Sequence, residues 1–168
     1  MILLADEIMM GETAREQIAG TRVVPPFTRV QKVMTDTDLV MRSFEIAADR
    51  IGDITVPVYE RYYTSCPGSK QLMSHIDQYV QGRMLEEVIE VLLTEQPGTL
   101  HDYLRFETKT HVSYGVEPTM YANLLAAVRD TICAALASDW NADYERAWEQ
   151  RITMLLNEIA RAGEFTAA

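Results

Sequence analysis

The stretch Lys109-Thr110-His111-Val112-Ser113-Tyr114-Gly115-Val116-Glu117-Pro118-Thr119-Met120-Tyr121 places a helix stop and a helix start around one histidine. Leu104 and Leu100 precede His111 by seven and eleven residues, close to two and three helical turns, so the three share one helix face. Gly115 can take the left-handed conformation that ends a helix. Pro118 suits the first turn of the next helix, with Glu117 beside its positive end. A neutral imidazole is therefore expected on the buried face of a helix, just before a sharp corner. Two readings of it are open: a hydrogen-bonded core histidine, or one nitrogen ligand presented to something held in the interior.

Helical spacing extends on both sides. The cluster Thr35-Asp36-Thr37-Asp38 starts a helix through Leu39, Val40, Phe44, Ala47 and Ile51, stopped by Gly52. Asp53 caps a second helix, with Pro57 in its first turn and Val58, Tyr59, Tyr62 and Tyr63 on its apolar face. A turn-rich piece from Pro67 to Met73 leads to a long helix over about 77–93, where Val80, Met84, Leu85, Val88 and Leu92 recur at helical steps and Glu86, Glu87 and Glu90 face water. After the His111 helix come two more, Pro118 to about Ala137 and about Ala142 to Arg161, with Gly163 as the stop. No alternating strand pattern appears. The predicted class is all-α, with about seven helices of unequal length in oblique packing. Residues 1–36 differ: a short helix over roughly 2–18, then an extended connector through Pro25-Pro26. They read either as an interface arm, which leaves a homodimer open, or as a disordered terminus. Residues 37–168 form the main domain.

Composition excludes several classes. The 168 residues suit one domain, and 48% hydrophobic with 24% charged residues is ordinary for a soluble protein. A net charge of −10 argues against a nucleic-acid partner, which requires concentrated Lys and Arg. No apolar run is read as long enough for a membrane span, and no basic leader precedes an apolar core. Cys66 and Cys133 read as reduced, buried residues of a cytoplasmic protein, and no Cys-x-x-Cys-His allows covalent haem attachment.

Two polar residues stand at inward positions. Tyr59 is a phenol on the second helix, and Gln81 lies one turn before Leu85 on the 77–93 helix. Either they are ordinary core and surface residues, or they share a pocket and donate to one small polar ligand. His75 and His101, the other two histidines, read as surface or loop residues.

Over roughly residues 38–160 the chain resembles a bacterial globin of the single-domain, flavohaemoglobin-like kind. Four motifs carry the resemblance: Val58-Tyr59-Glu60-Arg61-Tyr62-Tyr63-Thr64-Ser65-Cys66-Pro67; Gln81-Gly82-Arg83-Met84-Leu85; His111-Val112-Ser113-Tyr114-Gly115-Val116-Glu117-Pro118 with Tyr121; and Trp140-Asn141-Ala142-Asp143 with Ala147-Trp148. The resemblance implies a globin-like fold holding non-covalent haem b (iron protoporphyrin IX). His111 is then the proximal iron ligand and Tyr121 its neighbour. Tyr59 and Gln81 are the distal donors, Leu85 the apolar wall at the sixth position, and Val116, Met73 and Met84 haem contacts. The implied function is reversible binding of a diatomic gas (O₂, NO or CO), for oxygen handling or, with a separate reductase, nitric oxide dioxygenase activity.

The chain departs from the family pattern at several places. Met73 stands where globins place Phe, and Glu107 where they place Leu four residues before the ligand. Gly163 stands where flavohaemoglobins have a Glu in the last helix, with Glu158 too early in the chain. A gapless count from Met73 puts Val80 in the place of Gln81. No Gly-rich nucleotide fingerprint is present. Two alternatives therefore accompany the gas-binding reading: a haem-based gas sensor, and a haem-free globin-like interaction protein.

Overall fold

The computed structural model describes residues 33–163. The helix expected over roughly 2–18 and the connector through Pro25-Pro26 lie outside the described residues. Within them run seven α-helices: α1 Asp36–Ile51, α2 Thr55–Ser65, α3 Pro67–Leu72, α4 Gln78–Leu93, α5 His101–Ser113, α6 Pro118–Leu136 and α7 Ala142–Ala162. Short 3-10 turns, Pro97–Leu100 and Ala137–Asp139, precede α5 and α7. There is no strand among the described residues, so the all-α class and the helix count agree with the periodicity.

Local chemistry fixes the ends. At α1, Thr35 Oγ1 accepts from Asp38 N at 3.1 Å and Thr35 N donates to Asp38 Oδ2 at 2.9 Å, a reciprocal capping box. Gly52 ends α1 at φ +69°. Asp77 caps α4 by accepting from Val80 N, and Asn141 caps α7 by accepting from Asp143 N and Tyr144 N. Pro67 opens a six-residue helix where a turn-rich piece was expected, because proline at the first position gives up no intrahelical bond.

The core is built mainly from α1, α2, α6 and α7. Trp148 of α7 is fully buried. Its Nε1 donates to Ser43 Oγ of α1 at 3.0 Å, and Ser43 Oγ donates on to Val40 O at 2.6 Å. The indole thus buries its large apolar surface without an orphaned donor. Phe44 packs on it at 5.2 Å between ring centroids. The segment Pro118–Asp139 is long and apolar enough to cross a membrane, contrary to the sequence reading, but α6 packs Leu125, Val128, Ile132 and Leu136 into the core beside α1, α2 and α7. Cys66 and Cys133 are free and only partly buried.

Arg151 is the main departure from an apolar core. It is 4% exposed, and its guanidinium donates to Leu92 O at 3.0 and 2.7 Å and to Thr94 O at 2.5 Å. Those carbonyls end α4, so α7 closes a helix terminus that lacks partners of its own. Arg50 does the same for α6, donating to Ala135 O and Leu136 O and pairing with Asp139. α5 is different. Only Leu104 and Thr108 of its thirteen residues are buried. It is held by α7 and the preceding turn and scarcely touches α4.

Candidate functional site

The gap between α4 and α5 is a cleft with two adjoining chambers. The larger measures about 410 Å³ and is lined by residues including Tyr59, Met73, His75, Met84, His111 and Val116. The smaller, about 140 Å³, lies against Val88, Leu104, Leu125, Leu155 and Ile159. Met84, Glu87, Glu107, His111, Tyr121 and Leu124 line both.

His111 sits on the last turn of α5. The chain reverses beyond it at Gly115, whose φ of +88° would strain any residue with a side chain. Gly115 N donates to Val112 O and Val116 N to His111 O, both at 3.0 Å, so the corner is hydrogen-bonded to the helix end that carries the imidazole. Pro118 starts α6 immediately, and Tyr121 follows on its first turn. His111 Nδ1 lies 3.0 Å from Tyr121 Oη. Burial, with a smaller contribution from the charge of Glu107, pushes the Tyr121 phenol up to about 12, so it is protonated at neutral pH. The phenol engages one ring nitrogen. The other, Nε2, lies 4.0 Å from Glu107 Oε2. The side chain of His111 is 33% exposed, so the imidazole is half-buried rather than fully internal.

The predicted site residues divide into two groups. Tyr59, Met73, Met84, His111, Val116 and Tyr121 all line the larger chamber. Gln81 and Leu85 line neither chamber. The reason is the rotation of α4. Met84, Glu87, Val88 and Val91 face the cleft, while Leu85, one residue round the helix, faces Phe44, Ile54 and Thr55 on the far side. Gln81 Nε2 donates instead to Tyr63 Oη at 3.1 Å and Ile76 O at 3.3 Å, and Tyr63 Oη donates to Met73 Sδ at 3.9 Å. Gln81 therefore tethers the start of α4 to α2 and to the corner that holds Met73. Val80, the other candidate for that place, is 41% exposed and lines neither chamber.

Tyr59 is 3% exposed, and burial followed by the neighbouring phenols Tyr63 and Tyr62 holds its hydroxyl well above the ordinary tyrosine range. It donates to the backbone carbonyl of Gln81 at 3.3 Å, beyond the usual span for a hydroxyl donor. A proton held this loosely can turn toward a better acceptor in the chamber. Sequence reasoning missed Glu87 and Tyr103. Glu87, expected to face water, is exposed and also forms part of the cleft rim, and Tyr103 Oη donates to its Oε2 at 3.4 Å. The signal was available in Met84 and Glu87, three residues apart on one helical row.

Among the described residues no three His, Cys, Asp or Glu side chains converge to hold a bare metal ion. Of the two histidines at this chamber, His75 and His111, it is His111 whose ring is oriented by a phenol, and one oriented imidazole suits a metal whose other ligands come with a cofactor. No protein-family model and no curated protein matches this chain.

Proposed function

We propose that this chain is a globin-like protein that binds haem b non-covalently through His111 Nε2 and takes a diatomic gas on the Tyr59 side, for oxygen handling or, with a separate reductase, nitric oxide dioxygenation. The observation that carries the reading is the 3.0 Å contact between His111 Nδ1 and Tyr121 Oη at the cleft wall. A metal-ligating histidine is normally oriented by a partner on its other ring nitrogen. Supporting it, the larger chamber of about 410 Å³ falls within the roughly 300–1,000 Å³ of cofactor sites. Its wall carries Met73, Met84, Val116, Met120 and Leu124, apolar surface suited to a flat macrocycle. Haem b, when bound, supplies an iron centre with a coordination position open to O₂, NO or CO.

The protein's own residues then have separable roles. His111 holds the group, with Nδ1 protonated and donating to Tyr121 Oη. Tyr121 fixes that tautomer and the ring plane. Tyr59 offers a neutral O–H to a polar gas ligand. Gln81 acts one step back, holding α4 and Tyr63 in place. A second reading, a haem-free protein in which Glu107 and His111 engage each other across the cleft wall, draws on their 4.0 Å approach. Expression with ample haem, followed by absorption spectroscopy, separates the two. A histidine-ligated haem spectrum that disappears in His111→Ala is the expected result, and colourless protein supports the haem-free reading.

A further inference from the structure

Glu107 lies one turn before His111 on α5, with Oε2 4.0 Å from the ring nitrogen that Tyr121 leaves unengaged. Its side chain keeps only 29% of its surface exposed. Glu87 of α4 lines the same two chambers, and no Lys or Arg lines either one. Water and salt screen such a charge less than one at the open surface. We propose that the Glu107 carboxylate, placed beside the coordinating nitrogen of His111, biases bound haem toward the ferric state, so that the gas-binding ferrous form depends on a strongly reducing partner. This rests on the haem reading above.

The physics is a charge balance. Reduction adds one electron to the iron, supplied by an external one-electron donor such as a flavin or iron–sulfur reductase, and no covalent bond is made or broken in the protein. A fixed negative charge close to the centre opposes that electron. Tyr121 works by a different route. Its hydrogen bond to Nδ1 changes how the imidazole donates to the metal. Glu107 faces Nε2, so its influence on the iron passes through space, while Nδ1 keeps Tyr121 as its partner. The two effects have different signatures: one moves the redox balance, the other moves the iron–histidine bond.

The test uses the full chain loaded with haem b, poised against redox dyes, with resonance Raman on the ferrous form. Glu107→Gln keeps the size of the side chain and removes its charge. It is expected to raise the ferrous-to-ferric ratio at fixed poise by roughly tenfold, which is about 59 mV for one electron, with the iron–histidine stretching band unmoved. Glu107→Asp keeps the charge and is expected to stay close to the wild-type ratio. Tyr121→Phe is expected to shift the band. An unmoved ratio in Glu107→Gln with histidine ligation intact overturns the inference while the haem reading stands. A shift in Glu107→Asp as large as in Glu107→Gln overturns it too, because packing and not charge would then be responsible. Failure of the wild-type protein to form histidine-ligated haem overturns both.

Discussion

His111 Nδ1 and Tyr121 Oη meet at 3.0 Å across the corner between α5 and α6, ten residues apart in the chain. The contact exists because Gly115 turns the chain back on itself and Pro118 restarts the helix within one turn. It commits one ring nitrogen to Tyr121, while the other faces Glu107 at 4.0 Å.

Tyr121→Phe removes that commitment while keeping the ring. Loss of a partner on a ligating histidine typically costs roughly ten- to a hundredfold in metal affinity. Haem is expected to transfer to an excess of a competing apo-globin faster by a factor in that range. An unchanged transfer rate would show that the phenol only packs against the imidazole.

On the gas side, the prediction separates two residues that the sequence paired. Tyr59→Phe removes a hydrogen bond to a strongly polar acceptor, of about 1.5–3 kcal/mol, so O₂ is expected to leave roughly ten- to a hundredfold faster. CO, which carries less charge on its outer atom, is expected to respond less. Gln81→Leu is expected to leave O₂ release near wild type and to lower stability by about 1–3 kcal/mol, since it strips bonds to Tyr63 and Ile76. Stopped-flow gas release and urea unfolding measure the two. A large gas effect from Gln81→Leu would return that side chain to the chamber.

This split marks how far the sequence could be read. The helices were legible because apolar residues recur at helical steps and because Thr35, Gly52 and Gly115 terminate them by local chemistry; the caps by Asp77 and Asn141 came only with the structure. The His111–Tyr121 pairing was legible only through the resemblance to globins, and the tight corner between α5 and α6 is what brings the two side chains together. The rotation of α4 was not, because Met84 and Leu85 are both apolar and adjacent, and only packing against α1 and α2 decides which one faces the cleft. The buried cap formed by Arg151 was equally hidden, since its partners are backbone carbonyls 59 and 57 residues away.

Arg151→Met tests that cap. The carbonyls of Leu92 and Thr94 lose charged donors, a change of about 1.5–3 kcal/mol for each such bond before any repacking. Urea unfolding is expected to show a midpoint well below wild type, and haem is expected to be held less firmly, because α4 carries Met84 into the cleft. A variant as stable as wild type would assign Arg151 no role at this helix end.

Alkaline pH offers a further check. Burial is the main reason that Tyr62 and Tyr121 are pushed from 10.0 to about 12 in the folded chain. Folding favours the neutral phenols, so this stabilisation is complete below pH 10 and is lost as pH rises toward 12. Thermal unfolding followed from pH 9 to 12, with phenolate absorbance alongside, is expected to show the melting temperature falling over that window in step with ionisation. A melting temperature that holds steady while these phenols ionise would place them in a wetter environment.

The most direct test of the account is the absorption spectrum of the full chain produced with ample haem, oxidised and then reduced, beside His111→Ala. The account predicts equimolar, non-covalent haem with a ferrous spectrum of single-histidine ligation that shifts on adding CO, and loss or severe weakening of haem retention in His111→Ala. Wild-type protein that takes up no haem, or a variant whose ferrous spectrum matches the wild type's, would contradict it.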